Sequence, residues 1–188
     1  MSSAEARLPE IDGLLVAVAR GILSIGVSQG RPPQVDPDAY PEPLRAAGAS
    51  FVTLRRGGAL RGCTGSLEAV RPLVCDVARN AWRSATADPR FAPLREIELL
   101  DLDVHVSVLS PLEPIAAASE RELLEQLRPG IDGLVLREGR CCATFLPAVW
   151  ESLRDPREFL DQLRLKAGLP RGHWSLALRF ERYTTRDG

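Results

Sequence analysis

Ser50 to Gly65 reads SFVTLRRGGALRGCTG, and the Gly57-Gly58 pair at its centre decides the fold class. Two adjacent glycines between β-favouring residues predict a two-residue hairpin turn, because both central positions of such a turn need positive φ. A turn at 57 and 58 pairs Arg56 with Ala59. Continued outward, that register sets Leu54 opposite Arg61 and Val52 opposite Cys63. Side chains alternate across a strand, so Arg61 and Cys63 are expected on one face and Gly62 on the other.

A second stretch, Asp132 to Trp150, reads DGLVLREGRCCATFLPAVW and repeats the pattern loosely. It predicts a strand, a Glu138-Gly139 turn, a return strand and a helix opened by Pro147. Leu134, Leu136, Cys141, Ala143 and Phe145 fall on one face. Val135, Arg137, Cys142 and Thr144 fall on the other, which makes Cys141 a core residue and Cys142 the polar-facing one. Two such hairpins suggest an internal duplication, with a ligand groove between two subdomains.

The remaining segments fit around the hairpins. Pro9 at a first helical position and apolar residues from Ile11 to Ile25 at helical spacing predict a helix over 9–27. Prolines 32, 33, 37, 41 and 43 make 28–47 an irregular arm. Val70, Leu73, Val74, Val77, Ala78, Ala81, Trp82 and Ala85 form an amphipathic stripe that ends near Ala87, before Pro89. Leu102 to Leu109, LDVHVSVL, alternates as a half-buried strand, with Asp103, His105 and Ser107 facing away from the core. Ser119 caps a short helix, helices follow near 151–153 and 157–166, Gly168 stops the last, and Trp174 to Tyr183 closes the chain as a strand. The expected fold is α+β: one compact domain over residues 1–188, with mostly antiparallel sheet. Its hairpin-helix units span about 48–112 and 113–184.

Composition limits the function classes. The 188 residues, 45% hydrophobic, suffice for one core that removes roughly 70% of the unfolded surface from water. The start MSSAEARLPEIDGLL lacks a basic region followed by an apolar run, and no segment is expected to reach the ~20 apolar residues of a membrane span. We therefore expect a cytoplasmic protein with free thiols at Cys63, Cys75, Cys141 and Cys142. None of them forms a C-x-x-C pair, and His105 and His173 are the only histidines, so no metal site is expected. A net charge of -1, with both signs dispersed, gives no support for nucleic-acid binding.

The octapeptide Leu60 to Leu67, LRGCTGSL, carries the chemistry worth weighing. Cys63 is a candidate nucleophile, with its thiolate favoured by Arg61 and by the helix that begins near Val70. His105 is the only strand histidine available as a base. Alternatively, backbone amides of Thr64 to Ser66, freed by Gly62 and Gly65, form a nest for an anion clamped by Arg61. The octapeptide lacks the spacing and lysine of a phosphate-binding P-loop. The competing interpretation is purely structural: Cys63 as a small core residue, Arg61 ion-paired, and the glycines at a bulge or a close backbone contact. In DPRF, Asp88 to Phe91, Asp88 is a turn former and Phe91 a core plug, or Asp88 and Arg90 reach a ligand.

LRGCTGSL followed by a helix and DPRF, then VSVLSP at 106–111, DGLVL at 132–136 and TFLPAVW at 144–150, resembles the AMME chromosomal region domain family. That family is named for the Alport syndrome, midface hypoplasia and elliptocytosis region. The resemblance runs from about Pro9 to Tyr183 and points to a bacterial or archaeal-type member. It implies a single α+β domain of two subdomains and an association with Memo-like and radical SAM proteins. It does not imply a reaction, and it leaves the cofactor unknown. The family's hallmark falls on Arg61, Gly62, Cys63, Gly65 and Ser66, with Thr64 where relatives often have isoleucine and His105 where many have an acidic residue. Two functions follow as expectations. One is an enzyme or ligand-binding protein whose groove around Arg61 to Ser66, with Asp88 and Arg90, takes a small anionic or nucleotide-like ligand. The other is a non-catalytic protein-protein adaptor.

Overall fold

The computed structural model describes residues 8–187. The chain is α+β with two four-stranded sheets, and every pairing described within them is antiparallel. The described residues divide into two compact units, 8–109 with 186–187 and 110–185.

The first unit is built from α1 (Leu8–Gln29), the short helix α2 (Glu42–Arg45) in the proline-rich arm, β1 (Ser50–Arg56), β2 (Ala59–Gly65), α3 (Leu73–Thr86) and β3 (Leu102–Leu109). Its sheet runs β2-β1-β3-β8, with β8 (Thr185–Asp187) supplied by the end of the chain. Helices α1 and α3 cover one face. Leu15, Ile22, Leu23, Val52, Leu54, Val74, Val77, Ala81, Val104 and Val106 make the core between them. Val70, expected to start α3, is exposed and precedes it. Strand β3 has the bounds the alternation predicts, and of its expected apolar set Leu102, Val104 and Val106 are buried while Val108 is only partly so.

Helix α1 corrects the expectation about membrane spans. Residues Pro9–Gln29 are long and apolar enough to cross a bilayer by length and composition, with a mean hydropathy of 1.7. Core packing accounts for much of that apolarity, since Leu15, Ala19, Ile22 and Leu23 are buried against α3 and β3.

The hairpin turn falls at Gly57 and Gly58, with φ of 55° and 79°. Beyond it the register departs from the simple pairing. Arg56 faces Ala59 and Arg55 faces Leu60, but Leu54 then faces Gly62, Thr53 faces Cys63 and Val52 faces Thr64. Arg61 is the extra residue of a β-bulge. One inserted residue moves everything beyond it to the opposite face. Gly62, not Arg61, is therefore aligned with the buried Leu54, and Cys63, expected opposite Val52, lies opposite Thr53 and shares its outward face.

The second unit holds β4 (Glu113–Ile115), α4 (Glu120–Gln126), β5 (Gly133–Glu138), β6 (Cys141–Phe145), α5 (Pro156–Lys166) and β7 (Arg179–Tyr183), in the sheet order β4-β7-β5-β6. Ser119 caps α4 by accepting from the Glu122 amide, as its sequence predicts. The β5-β6 turn lies at Gly139 and Arg140, not at Glu138-Gly139, so Leu134 faces Phe145 and Leu136 faces Ala143. That slip is two residues along one strand, an even number, and it keeps the predicted alternation of faces, but Cys141, expected in the core, is only half-buried at the end of β6. The last segment is shorter than expected: residues 174–178 form a loop before β7. Trp150 stacks on Phe159 at 3.7 Å and donates its indole N–H to the Asp132 carbonyl at 2.7 Å, so it is a satisfied core aromatic.

Candidate functional site

Leu60 to Gly65 of the octapeptide lie in β2, the edge strand of the first sheet, and Ser66 and Leu67 follow it. Gly62 lies so close to α3 that a Cβ there would stand 2.1 Å from the Ser84 carbonyl oxygen. Gly65 is covered by the Phe51 ring, 2.3 Å from its virtual Cβ. Neither glycine has positive φ, so close approach rather than turn geometry requires them. The Ser66 amide donates to the Ser50 carbonyl. An anion nest from Thr64 to Ser66 is thereby overturned, because the backbone is extended through Gly65 and the Ser66 amide is already used.

The bulge aims Arg61 at Glu98, which lies on the 3-10 turn Glu96–Asp101 ahead of β3. Arg61 Nε and Nη2 donate to the two carboxylate oxygens at 2.9 and 3.1 Å, a bidentate pair. The Glu98 side chain is only 7% exposed, and it also accepts the Arg95 amide at 2.9 Å. The Arg61 guanidinium, helped by that amide, holds the Glu98 carboxyl down to about 2 despite burial that acts the other way.

Cys63 is fixed through its backbone. Its amide donates to Asp88 Oδ2 at 2.9 Å, which occupies an edge N–H of β2. Asp88, 3% exposed at its side chain, also accepts from Arg90 Nε at 2.9 Å, Nη2 at 2.7 Å and the Arg90 amide at 3.1 Å. These bonds, Arg90 first, keep the Asp88 carboxyl far below the usual carboxylate range. The pKa of Arg90 is raised mainly by Asp88, and a Cys63 thiolate would add to the rise. Both Arg90 and Arg61 lie over the Phe91 ring, at 5.4 and 5.9 Å from its centroid. The half-buried thiol itself lies 3.4 Å from Thr53 Oγ1.

Ser66 belongs to a different set of contacts. Its hydroxyl donates to Asp76 Oδ1 at 2.8 Å. Asp76 is fully buried in the first turn of α3. Its Oδ2 accepts the Ser50 amide at 2.9 Å, the Ser50 hydroxyl at 2.8 Å and Asn80 Nδ2 at 2.9 Å, and Arg71 pairs with Oδ1. The α3 N-terminus thus secures Ser66 and Ser50 instead of the Cys63 thiol. Thr64 is half-buried opposite Val52.

The structure therefore brings together Arg61, Cys63, Asp88 and Arg90 of the expected site residues, and sets Ser66 in a separate buried network. Two apolar hollows in the first unit, of about 470 and 270 Å³, lie along α1, the arm and α3, and neither is lined by any of Arg61 to Ser66. His105 faces Thr53 from the other side, so Cys63, Thr53 and His105 form one cross-strand row on the outward face. Two strand spacings, roughly 10 Å, separate the first from the last. His105 is no direct base for the thiol. No group of three or more His, Cys, Asp or Glu able to hold a metal occurs among the described residues.

Sequence reasoning missed Glu98, Thr53, Asp76 and Asn80. A signal for two of them was present: Asp76, Asn80 and Ser84 recur every four residues within the apolar stripe of α3, all buried. Polar side chains at that spacing on a core face need partners, and the hairpin is what they bind. Glu98 and Thr53 have no local signal.

The AMMECR1 family model matches residues 16–187. A protein of Methanothermobacter thermautotrophicus is 43% identical over 135 residues, which cover 71% of this chain and 70% of that one. One from Thermotoga maritima is 39% identical over 155 residues, covering 80% and 83%. Among solved structures, uncharacterized protein PH0010 from Pyrococcus horikoshii superposes with a TM-score of 0.88 at 33% identity, over 95% of this chain and 90% of that one. On the match of the family model over residues 16–187 and these relatives, this chain belongs to the AMMECR1 family.

Proposed function

We propose that the chain is a ligand-binding protein that presents the Cys63 thiol and the Arg90 guanidinium to a small anionic ligand. The observation that carries this is what remains after the internal contacts are taken. Arg61 is engaged by Glu98, the Cys63 amide by Asp88, Ser66 by Asp76, and both glycines by close packing. Arg90 is still 54% exposed at its side chain, and Asp88 uses only its Nε and Nη2. A guanidinium has five N–H donors, so the Nη1 edge is left for a carboxylate or phosphate, already oriented by the carboxylate behind it. Asp88 joins the Cys63 amide to the Arg90 guanidinium, and the thiol with its Thr53 neighbour supplies the other contact groups in this reading.

Covalent thiol catalysis has less support, because the thiol's close polar neighbour is a hydroxyl and the imidazole of the row stands a strand further on. The adaptor reading has one observation in its favour: Ile97 and Leu100, on the turn that carries Glu98, are 62% and 84% exposed. Association with Memo-like and radical SAM proteins, and a cytoplasmic setting, belong to the same proposal and rest on family resemblance and free thiols. Calorimetric titration with phosphate, citrate and adenosine monophosphate tests the ligand class. Saturable binding to at least one, weakened about tenfold or more in Arg90→Gln, is expected. No binding to any of them, or binding indifferent to Arg90, overturns it.

A further inference from the structure

Away from the octapeptide, the first unit carries two hollows that touch. The larger, about 470 Å³, is lined by Leu14, Val18, Ile25 and Tyr40 among others. The smaller, about 270 Å³, is lined by Cys75, Ala78, Arg79 and Trp82. Ile22, Pro33 and Val35 line both, so the hollows meet along α1 and the proline-rich arm. The larger volume by itself, and the two taken together, fall within the roughly 300–1,000 Å³ of small-molecule sites, and both linings are mainly apolar. Leu14 and Ile25 are large apolar residues at 40% and 43% exposure on the larger one. Gly21, also on its wall, leaves open space where a side chain would stand, since a Cβ there meets nothing within 4 Å.

Charge distinguishes the two ends. Arg79 is the one charged residue lining the smaller hollow, and among the described residues it makes no hydrogen bond or ion pair. Asp36 is the one charged residue lining the larger hollow. An elongated apolar molecule with one anionic end matches this asymmetry, its head on the unpaired guanidinium and its tail running past Ile22, Pro33 and Val35 toward Leu14 and Ile25. A free cation beside an apolar surface favours such a head, and the Asp36 carboxylate disfavours it at the other end. We propose that this trough is a binding site for a single-chain anionic amphiphile of the fatty-carboxylate class, independent of the Cys63 site.

The test is calorimetric titration of the full chain with sodium dodecanoate below its micelle concentration, with dodecanol as the neutral comparator. Alkylation of Cys75, which lines the smaller hollow, supplies a second readout. One dodecanoate per chain should bind and should slow Cys75 alkylation. Arg79→Gln, a change at an exposed position, should weaken dodecanoate about tenfold and leave dodecanol unaffected. Gly21→Leu, whose Cβ meets nothing within 4 Å and whose longer side chain would occupy the larger hollow, should remove binding of both. Absence of saturable dodecanoate binding, or equal binding in both variants, overturns the proposal. So does a wild-type dimer that Gly21→Leu converts to monomer without any dodecanoate binding, which would make a second copy the occupant.

Discussion

Gly62→Ala should be among the most damaging single-methyl additions in the first unit. The added Cβ would stand 2.1 Å from the Ser84 carbonyl oxygen, more than an ångström inside ordinary contact, and the atom it meets is helix backbone, not a flexible side-chain end. The strand has little freedom to retreat. Ser84 Oγ donates to the Val52 carbonyl at 2.8 Å from the same helix turn, and the Cys63 amide is held by Asp88. Overpacking of this kind costs roughly 1–3 kcal/mol, and a backbone collision belongs at the upper end. Replacing a glycine restricts the unfolded chain and returns about 0.4–1 kcal/mol. The net expectation is a loss of about 2 kcal/mol, or roughly 4–8 °C in Tm for a chain of this size. Gly21→Ala is the matched control: its Cβ meets nothing within 4 Å on α1, and it should gain roughly 0.5–1 kcal/mol from helix propensity. Urea denaturation followed by circular dichroism measures both, and hydrogen exchange over residues 50–65 assigns the loss to the hairpin. A Gly62→Ala protein within about 0.5 kcal/mol of wild type would refute the close-approach account of this glycine.

Other residues of the hairpin's supports give further expectations. Arg61→Leu leaves the buried Glu98 carboxylate with Arg56 and Arg95 at 3.7 and 3.6 Å as remaining cations, and should cost about 2–4 kcal/mol by urea denaturation. Because the folded Glu98 carboxyl titrates at about 2 against an ordinary 4.5, the stability it supplies is complete above pH ~4.5 and is lost as pH falls toward ~2. Arg61→Leu should flatten that part of the acid limb, and an unchanged limb contradicts the pairing. Asp76→Ala strips the acceptor from Ser50, Ser66 and Asn80 at once and should cost about 3–5 kcal/mol or prevent folding of the first unit. Asp88→Asn removes the anion that neutralises Arg90 beside the thiol, so Cys63 alkylation should speed up several-fold. A slower or unchanged rate argues against their proximity.

The sequence showed the hairpins and hid their registers, for physical reasons that particular residues make plain. Gly57-Gly58 encodes its turn locally, through positive φ, and LDVHVSVL encodes β3 through strict alternation. The bulge at Arg61 is not local. Its guanidinium is satisfied by Glu98, 37 residues on, so nothing near position 61 announces that the strand gains a residue there. That single insertion reversed the expected face of Cys63. The second hairpin was also misplaced along its strands, yet its faces survived because the slip was even. The candidate site was legible as a set of residue types, including Asp88 and Arg90 in DPRF. What could not be read was their commitment: the glycines answer to Ser84 and Phe51, and Ser66 answers to Asp76, all contacts made by tertiary folding. The polar spacing of Asp76, Asn80 and Ser84 along an apolar helix was the one overlooked clue of general use.

The central claim is that the octapeptide is bound up in the fold except for a thiol presented beside Arg90. Its most direct test is time-resolved alkylation of the folded protein, read cysteine by cysteine by peptide mass spectrometry, with and without phosphate. The exposed Cys142 serves as the internal standard. Cys63 should react in the native state, and phosphate should slow it in wild type but not in Arg90→Gln, while Cys142 is unaffected. A Cys63 that stays unmodified until the protein unfolds, or that phosphate slows equally in the absence of Arg90, would contradict the account.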